Sequence, residues 1–182
     1  MLHGLLVALA KILPPTIHPM VVHFPIALIY LTLLVELVMW AGPPDPTHFF
    51  ARASFWLLTL SCIAMIGAMF AGLISEQTIK LTPQTAQLLS AHQHDAMLTG
   101  LFAGAAWLLR IAGRFPRSQR ATAWSLMGSG RGRPSPLATV LVLGSVIFIS
   151  ITGSLGGSMV YNHGLGVHAL PGNAATAVRS KG

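Results

Sequence analysis

The chain is poor in charge, and poorest in acid. Lys, Arg, Asp and Glu make up 8% of its 182 residues, and only four are acidic: Glu36, Asp45, Glu76 and Asp95. A water-soluble domain carries about a quarter charged residues, so that class is excluded. The shortage of acid also removes paired carboxylates. With no nucleophile beside a base and no glycine-rich phosphate loop, an enzyme acting alone is not expected. Cysteine is nearly absent as well. Cys62 alone permits no internal disulfide, and no Cys-x-x-Cys-His run exists, so any haem must be held without covalent links. Cys62 lies in the middle of an apolar segment and reads as a small buried hydrophobe. The basic residues lack interleaved aromatics, which argues against a nucleic-acid partner.

What is abundant is apolar. Hydrophobic residues make up 53% of the chain, and the mean hydropathy is +0.69. Spanning a hydrocarbon core of about 30 Å takes about 20 such residues. Four segments qualify: Val21–Ala41, Ser54–Ile74, His92–Ala112 and Leu137–Val160. The fold class expected is all-α, an integral membrane four-helix bundle in a lipid bilayer. Met1–Leu13 is too short to span, carries Lys11 and has no small-residue cleavage site, so residues 1–15 are expected to form a short interfacial helix. Residues 16–168 form the transmembrane domain, and the small, polar 169–182 a flexible tail. No internal repeat is evident. Gly100 with Gly104, and Gly153 with Gly156 and Gly157, thin the third and fourth spans; they suit close helix packing or a flat macrocycle.

The net charge of +7 is a topology signal. Arg110, Arg114, Arg117, Arg120, Arg131 and Arg133 crowd the connection between the third and fourth spans, so that connection is expected in the cytoplasm. Alternation then places both termini and the second connection outside. Glu36, inside the first span, is expected to pair with Arg52 or to snorkel. Trp40, Trp56 and Trp107 fit an interfacial aromatic belt.

Against this background eight histidines are conspicuous. His18 and His23 lie at the outer mouth of the first span, His92 and His94 at that of the third, and the fourth delivers Tyr161, Asn162 and His163 to the same side. Imidazoles in a membrane need partners and are functional by default. At a rise of about 1.5 Å per residue, His23 lies about 28 Å above Gly42 and His94 about 24 Å above Arg110. The depth-matched pair is therefore His23 and His94, expected as axial ligands of a haem iron, with His18, His92 and His163 as alternates or ligands of a second haem. Tyr161 and Asn162 are placed to bond propionates. His3, His48 and His168 read as interface or loop. Copper or zinc would take the same histidines, although zinc usually adds thiolates or carboxylates; here Asp95 alone is near. A structural subunit, with histidines facing headgroups and partner chains, is the remaining reading.

Two stretches carry a resemblance: His18-Pro19-Met20-Val21-Val22-His23-Phe24-Pro25-Ile26-Ala27-Leu28, and Gly156-Gly157-Ser158-Met159-Val160-Tyr161-Asn162-His163-Gly164-Leu165-Gly166-Val167. Over roughly residues 16–168 the chain resembles a bacterial membrane family catalogued as DUF2231. The resemblance implies four spans and a helix-entry histidine in the third, matched by His94. Some members are joined to c-type cytochrome domains, and this chain carries none. The function expected is a b-type haem protein of the bacterial cytoplasmic membrane, with one or two non-covalent haems near the periplasmic face. It would exchange electrons with a periplasmic cytochrome c or another redox subunit, within a complex or homo-oligomer.

Overall fold

A computed structural model describes residues 2–14, 16–43, 46–79, 81–112 and 135–165. Among them there is no strand. The helices are α1 (Leu2–Ile12), α2 (Ile17–Val21), α3 (His23–Ala41), α4 (Phe49–Glu76), α5 (Pro83–Ala112) and α6 (Pro136–Tyr161). Four spans are long and apolar enough to cross a membrane: Ile17–Ala41, Phe49–Glu76, Pro83–Ala112 and Pro136–Tyr161. The all-α four-helix reading holds, and the short N-terminal helix packs against α4.

Local chemistry explains where the helices begin and break. The first span starts at Ile17, so Pro19 sits in its opening turn. Pro25 sits in the opening turn of α3. A proline there removes an amide hydrogen that has no intrahelical partner. The two prolines leave a one-residue break at Val22, which keeps right-handed helical angles (φ −62°, ψ −23°). Ahead of α5, Thr82 Oγ1 accepts from the Thr85 amide at 3.3 Å while Thr85 Oγ1 accepts from the Thr82 amide at 2.8 Å. This reciprocal cap, with Pro83 first in the helix, has the logic of a capping box. Ser135 caps α6 by accepting from the Ala138 amide at 3.4 Å, with Pro136 following.

The spans therefore extend past the apolar segments, and most in α5, which begins nine residues before His92. His92 is not at a helix mouth. It lies in the third turn, where a side chain can face the bundle interior.

The helices pack in the cyclic order α3, α4, α5, α6, with most contact inside two hairpins, α3/α4 and α5/α6, and a thinner seam between them. Thus α3 and α5 are diagonal partners that run in the same direction. Ile29, Leu58, Ala103, Ala106, Val142, Val146 and Ile149 form a dry plug at mid-bundle, and Cys62 packs at its edge as a half-buried apolar group. The glycine with the tightest interhelical packing is not Gly100 or Gly104, where an added Cβ would meet nothing within 4 Å, but Gly144, where it would stand 2.6 Å from the Phe102 ring at Cδ1.

Two polar ends flank the plug. Where α3 ends and α4 begins, Glu36 is fully buried and ion-pairs with Arg110 of α5. Ser54 of α4 joins them: its hydroxyl donates to Glu36 Oε1 at 3.2 Å and accepts from Arg110 Nη1 at 2.9 Å. Glu36 thus pairs with Arg110, not Arg52, and does not snorkel. Length accounts for this, because Arg110 lies in the last turn of α5 and reaches inward across the bundle. Arg114, Arg117, Arg120, Arg131 and Arg133, the remaining basic residues of that connection, lie outside the described residues, as do the 169–182 tail and His168. Trp107 donates to Thr59 Oγ1 at 2.9 Å and Trp40 to Thr139 Oγ1 at 3.2 Å, so these indoles link helices.

Candidate functional site

At the other end, where α4 ends and α5 begins, the bundle brings two histidines together. The rings of His18 (α2) and His92 (α5) have centroids 6.0 Å apart and planes at 80°. Both rings are half-buried.

Each is held in the same manner. His18 Nδ1 donates to the Ala68 carbonyl of α4 at 3.0 Å, and His92 Nδ1 donates to the Thr152 carbonyl of α6 at 2.9 Å. A carbonyl only accepts, so each Nδ1 carries the proton, and in the neutral ring Nε2 keeps its lone pair. Anchoring of one ring nitrogen on a backbone carbonyl is how proteins orient a histidine whose other nitrogen binds a metal.

Glycine makes the anchoring possible. Inside a helix a carbonyl already serves the amide four residues on, and the side chain there shields it. Four residues after Ala68 is Gly72, and four after Thr152 is Gly156. A Cβ on Gly72 would stand 3.2 Å from His18 Nδ1, and one on Gly156 3.4 Å from His92 Cε1. Each ring sets its Nδ1–Cε1 side against a glycine and reaches the second lone pair of the carbonyl one turn earlier.

The arrangement repeats across the bundle. The first hairpin supplies His18, Ala68 and Gly72; the second supplies His92, Thr152 and Gly156. Eighteen residues beyond each histidine lies one member of the buried ion pair, Glu36 or Arg110. Eighteen residues are five helical turns and return to the same face. The two hairpins thus repeat one spacing and one anchoring pattern, with no repeat visible in their sequences.

The other candidates stand apart from this pair. His23 is exposed. His94 is exposed, with Nδ1 3.5 Å from Asp95 Oδ1. Tyr161, Asn162 and His163 are all exposed at the end of α6, where Asn162 donates to Ser158 Oγ at 3.0 Å. Gly164 (φ +63°) terminates that helix in the left-handed conformation, which explains a glycine in the second signature. His3 and His48 are exposed.

Chemically the site offers two imidazole nitrogens from diagonal helices. Among the described residues no third His, Cys, Asp or Glu joins them. A metal holds imidazole nitrogen at about 2 Å, and that nitrogen stands about 1 Å from its ring centre, so two rings on opposite sides of one ion have centres about 6 Å apart. The observed separation, 6.0 Å, is of that size. A two-nitrogen set leaves zinc short of its usual four protein ligands, whereas haem supplies four of its own.

The family described as "Predicted membrane protein (DUF2231)" matches residues 14–169. No curated protein and no solved structure matches the chain.

Proposed function

Since the chain belongs to the DUF2231 family of predicted membrane proteins, with two anchored imidazoles close together at one end of its bundle, we propose that it is a membrane b-type cytochrome. His18 and His92 would hold the haem, in place of the depth-matched His23 and His94. The observation that carries this reading is the pair itself: 6.0 Å between ring centres, with both Nδ1 atoms committed to backbone carbonyls.

A haem bound there supplies a one-electron couple. The protein supplies the rest. Ala68 and Thr152 hold the rings and make their free nitrogens more basic. Gly72 and Gly156 leave room beside them. The apolar plug confines the site to one end of the bundle. Arg114, Arg117, Arg120, Arg131 and Arg133 favour a cytoplasmic location for the opposite end, which sets the histidine pair toward the outside. The electron partner in this reading is a periplasmic cytochrome c or another redox subunit, and the protein works as part of a complex.

The test is the oxidised and reduced optical spectrum of the protein purified from haem-replete cells. A low-spin Soret band that sharpens and shifts on dithionite reduction is expected, with one haem per chain. Protein lacking a Soret band under those conditions overturns the reading; copper or zinc found instead by metal analysis would assign the same pair to a bare ion.

A further inference from the structure

The buried ion pair at the far end has no part in that chemistry, yet it lies on the same diagonal as the histidines. Contact between the hairpins is thin. Where α5 meets the plug it presents Ala103 and Ala106, with Trp107 packed beside them and donating to Thr59 Oγ1 of α4 at 2.9 Å, and nearer the histidines Gln93 donates to Glu76 Oε2 at 3.1 Å. Each such hydrogen bond contributes less than a buried charge pair loses when it is pulled apart.

Arg110 has the right connections. It reaches Glu36 on α3 and Ser54 on α4. Helix α4 also carries Ala68, the anchor of His18. Helix α5 is unbroken from Pro83 to Ala112, so a displacement at Arg110 is passed to His92. A slip of one turn is about 5.4 Å. It would pull the guanidinium off a fully buried carboxylate, and stranding a charge inside a membrane is the costliest outcome open to this seam. The same slip would separate the imidazoles.

We propose that Glu36 and Arg110 are positioning residues for the histidine pair: their ion pair, shared with Ser54, fixes the register of α5 against α3 and α4, and so the separation of His92 from His18. The proposal rests on reading that pair as the ligand site, but register can be measured without haem. Tyr30 of α3 and Ser150 of α6 meet across the seam, oxygen to oxygen at 2.6 Å. Helix α5 makes most of its contact with α6, so the two shift together; in a Cys62→Ala background, Tyr30→Cys with Ser150→Cys gives a thiol pair that a short bis-methanethiosulfonate reagent joins most efficiently in the native register.

Removing one charge alone strands the other, so the informative variant is Glu36→Leu with Arg110→Leu. Buried ion pairs often yield to apolar pairs without loss of fold. That variant should accumulate in the membrane while cross-linking yield falls at least threefold, and its low-spin haem signal should weaken or split. The charge-swapped Glu36→Arg with Arg110→Glu should recover both. Glu36→Gln with Arg110→Gln, which leaves neither charge stranded, gives the same test if the leucine pair accumulates poorly. Unchanged cross-linking and an unchanged spectrum in the leucine pair and in the glutamine pair overturn the proposal. Cross-linking that falls while the wild-type protein binds no haem supports the register pin and removes only the haem reading.

Discussion

Gly72 gives the imidazole of His18 a seat that one methyl group would take. A Cβ there would stand 3.2 Å from Nδ1, close enough that the ring must move, whereas the equivalent atom on Gly156 would stand 3.4 Å from His92 Cε1, near ordinary contact. Both glycines lie within helices, where alanine is the better helix former by about 1 kcal/mol. Gly72→Ala should therefore leave thermal stability of the haem-free protein unchanged or raised, yet weaken haem binding about tenfold, equivalent to about 1.4 kcal/mol. Gly156→Ala should weaken it less. Haem titration followed at the Soret band, beside a melting curve of the apoprotein, separates the two effects. Equal affinity in Gly72→Ala and the wild type would show that the ring has no need of that seat.

The ligand assignment makes an asymmetric prediction about four histidines. His18→Ala and His92→Ala should each abolish the low-spin spectrum, since each removes one of two axial nitrogens. His23→Ala and His94→Ala should leave it intact, because both side chains are exposed. Loss of the spectrum in the second pair with retention in the first would restore the depth-matched assignment. The measurement is the reduced-minus-oxidised difference spectrum of membranes matched for protein level.

The spans, the short N-terminal helix and the gathering of histidines toward one end were legible because hydrophobic run length and charge bias are one-dimensional properties. Which histidines pair was not. The sequence places His92 at the mouth of an apolar segment because Gln84, Gln87, Ser90 and Gln93 lower the local hydropathy. The Thr82-Pro83-x-Thr85 start signal, which moves the helix origin back nine residues, was present to be read. Depth counting then favoured His23 and His94, since it weighs height and ignores the face of the helix. The equal spacing from His18 to Glu36 and from His92 to Arg110 held the missing facial information. Its meaning needed the diagonal placement of α3 and α5, which no single helix encodes.

The partner of Glu36 can be tested apart from any cofactor. Arg110→Ala leaves a carboxylate buried without its cation, a change that costs about 3–5 kcal/mol in buried pairs. It should sharply reduce membrane accumulation and detergent-solubilised melting temperature. Arg52→Ala, which removes the partner expected from sequence, should change both little. Normal accumulation of Arg110→Ala would mean that Glu36 is not held as an ion pair.

Gly144 connects packing to the site. A Cβ at this position would lie 2.6 Å from Phe102 Cδ1, so α5 and α6 must separate or the phenyl ring must move. Phe102 also packs on Phe148, with ring centroids 5.4 Å apart, which limits its escape. Gly144→Ala should thus destabilise the protein by about 1–3 kcal/mol, the usual cost of overpacking. The consequence should extend along the hairpin. Thr152 lies eight residues beyond Gly144, about 12 Å along α6, and its carbonyl is the anchor of His92. Widening the hairpin lengthens that hydrogen bond and frees the ring. Gly144→Ala should accordingly lose haem affinity as well as stability, and Phe102→Leu in the same chain, by removing the ring that the methyl strikes, should recover both. Recovery of stability without affinity would show that the α5–α6 spacing does not govern the His92 anchor.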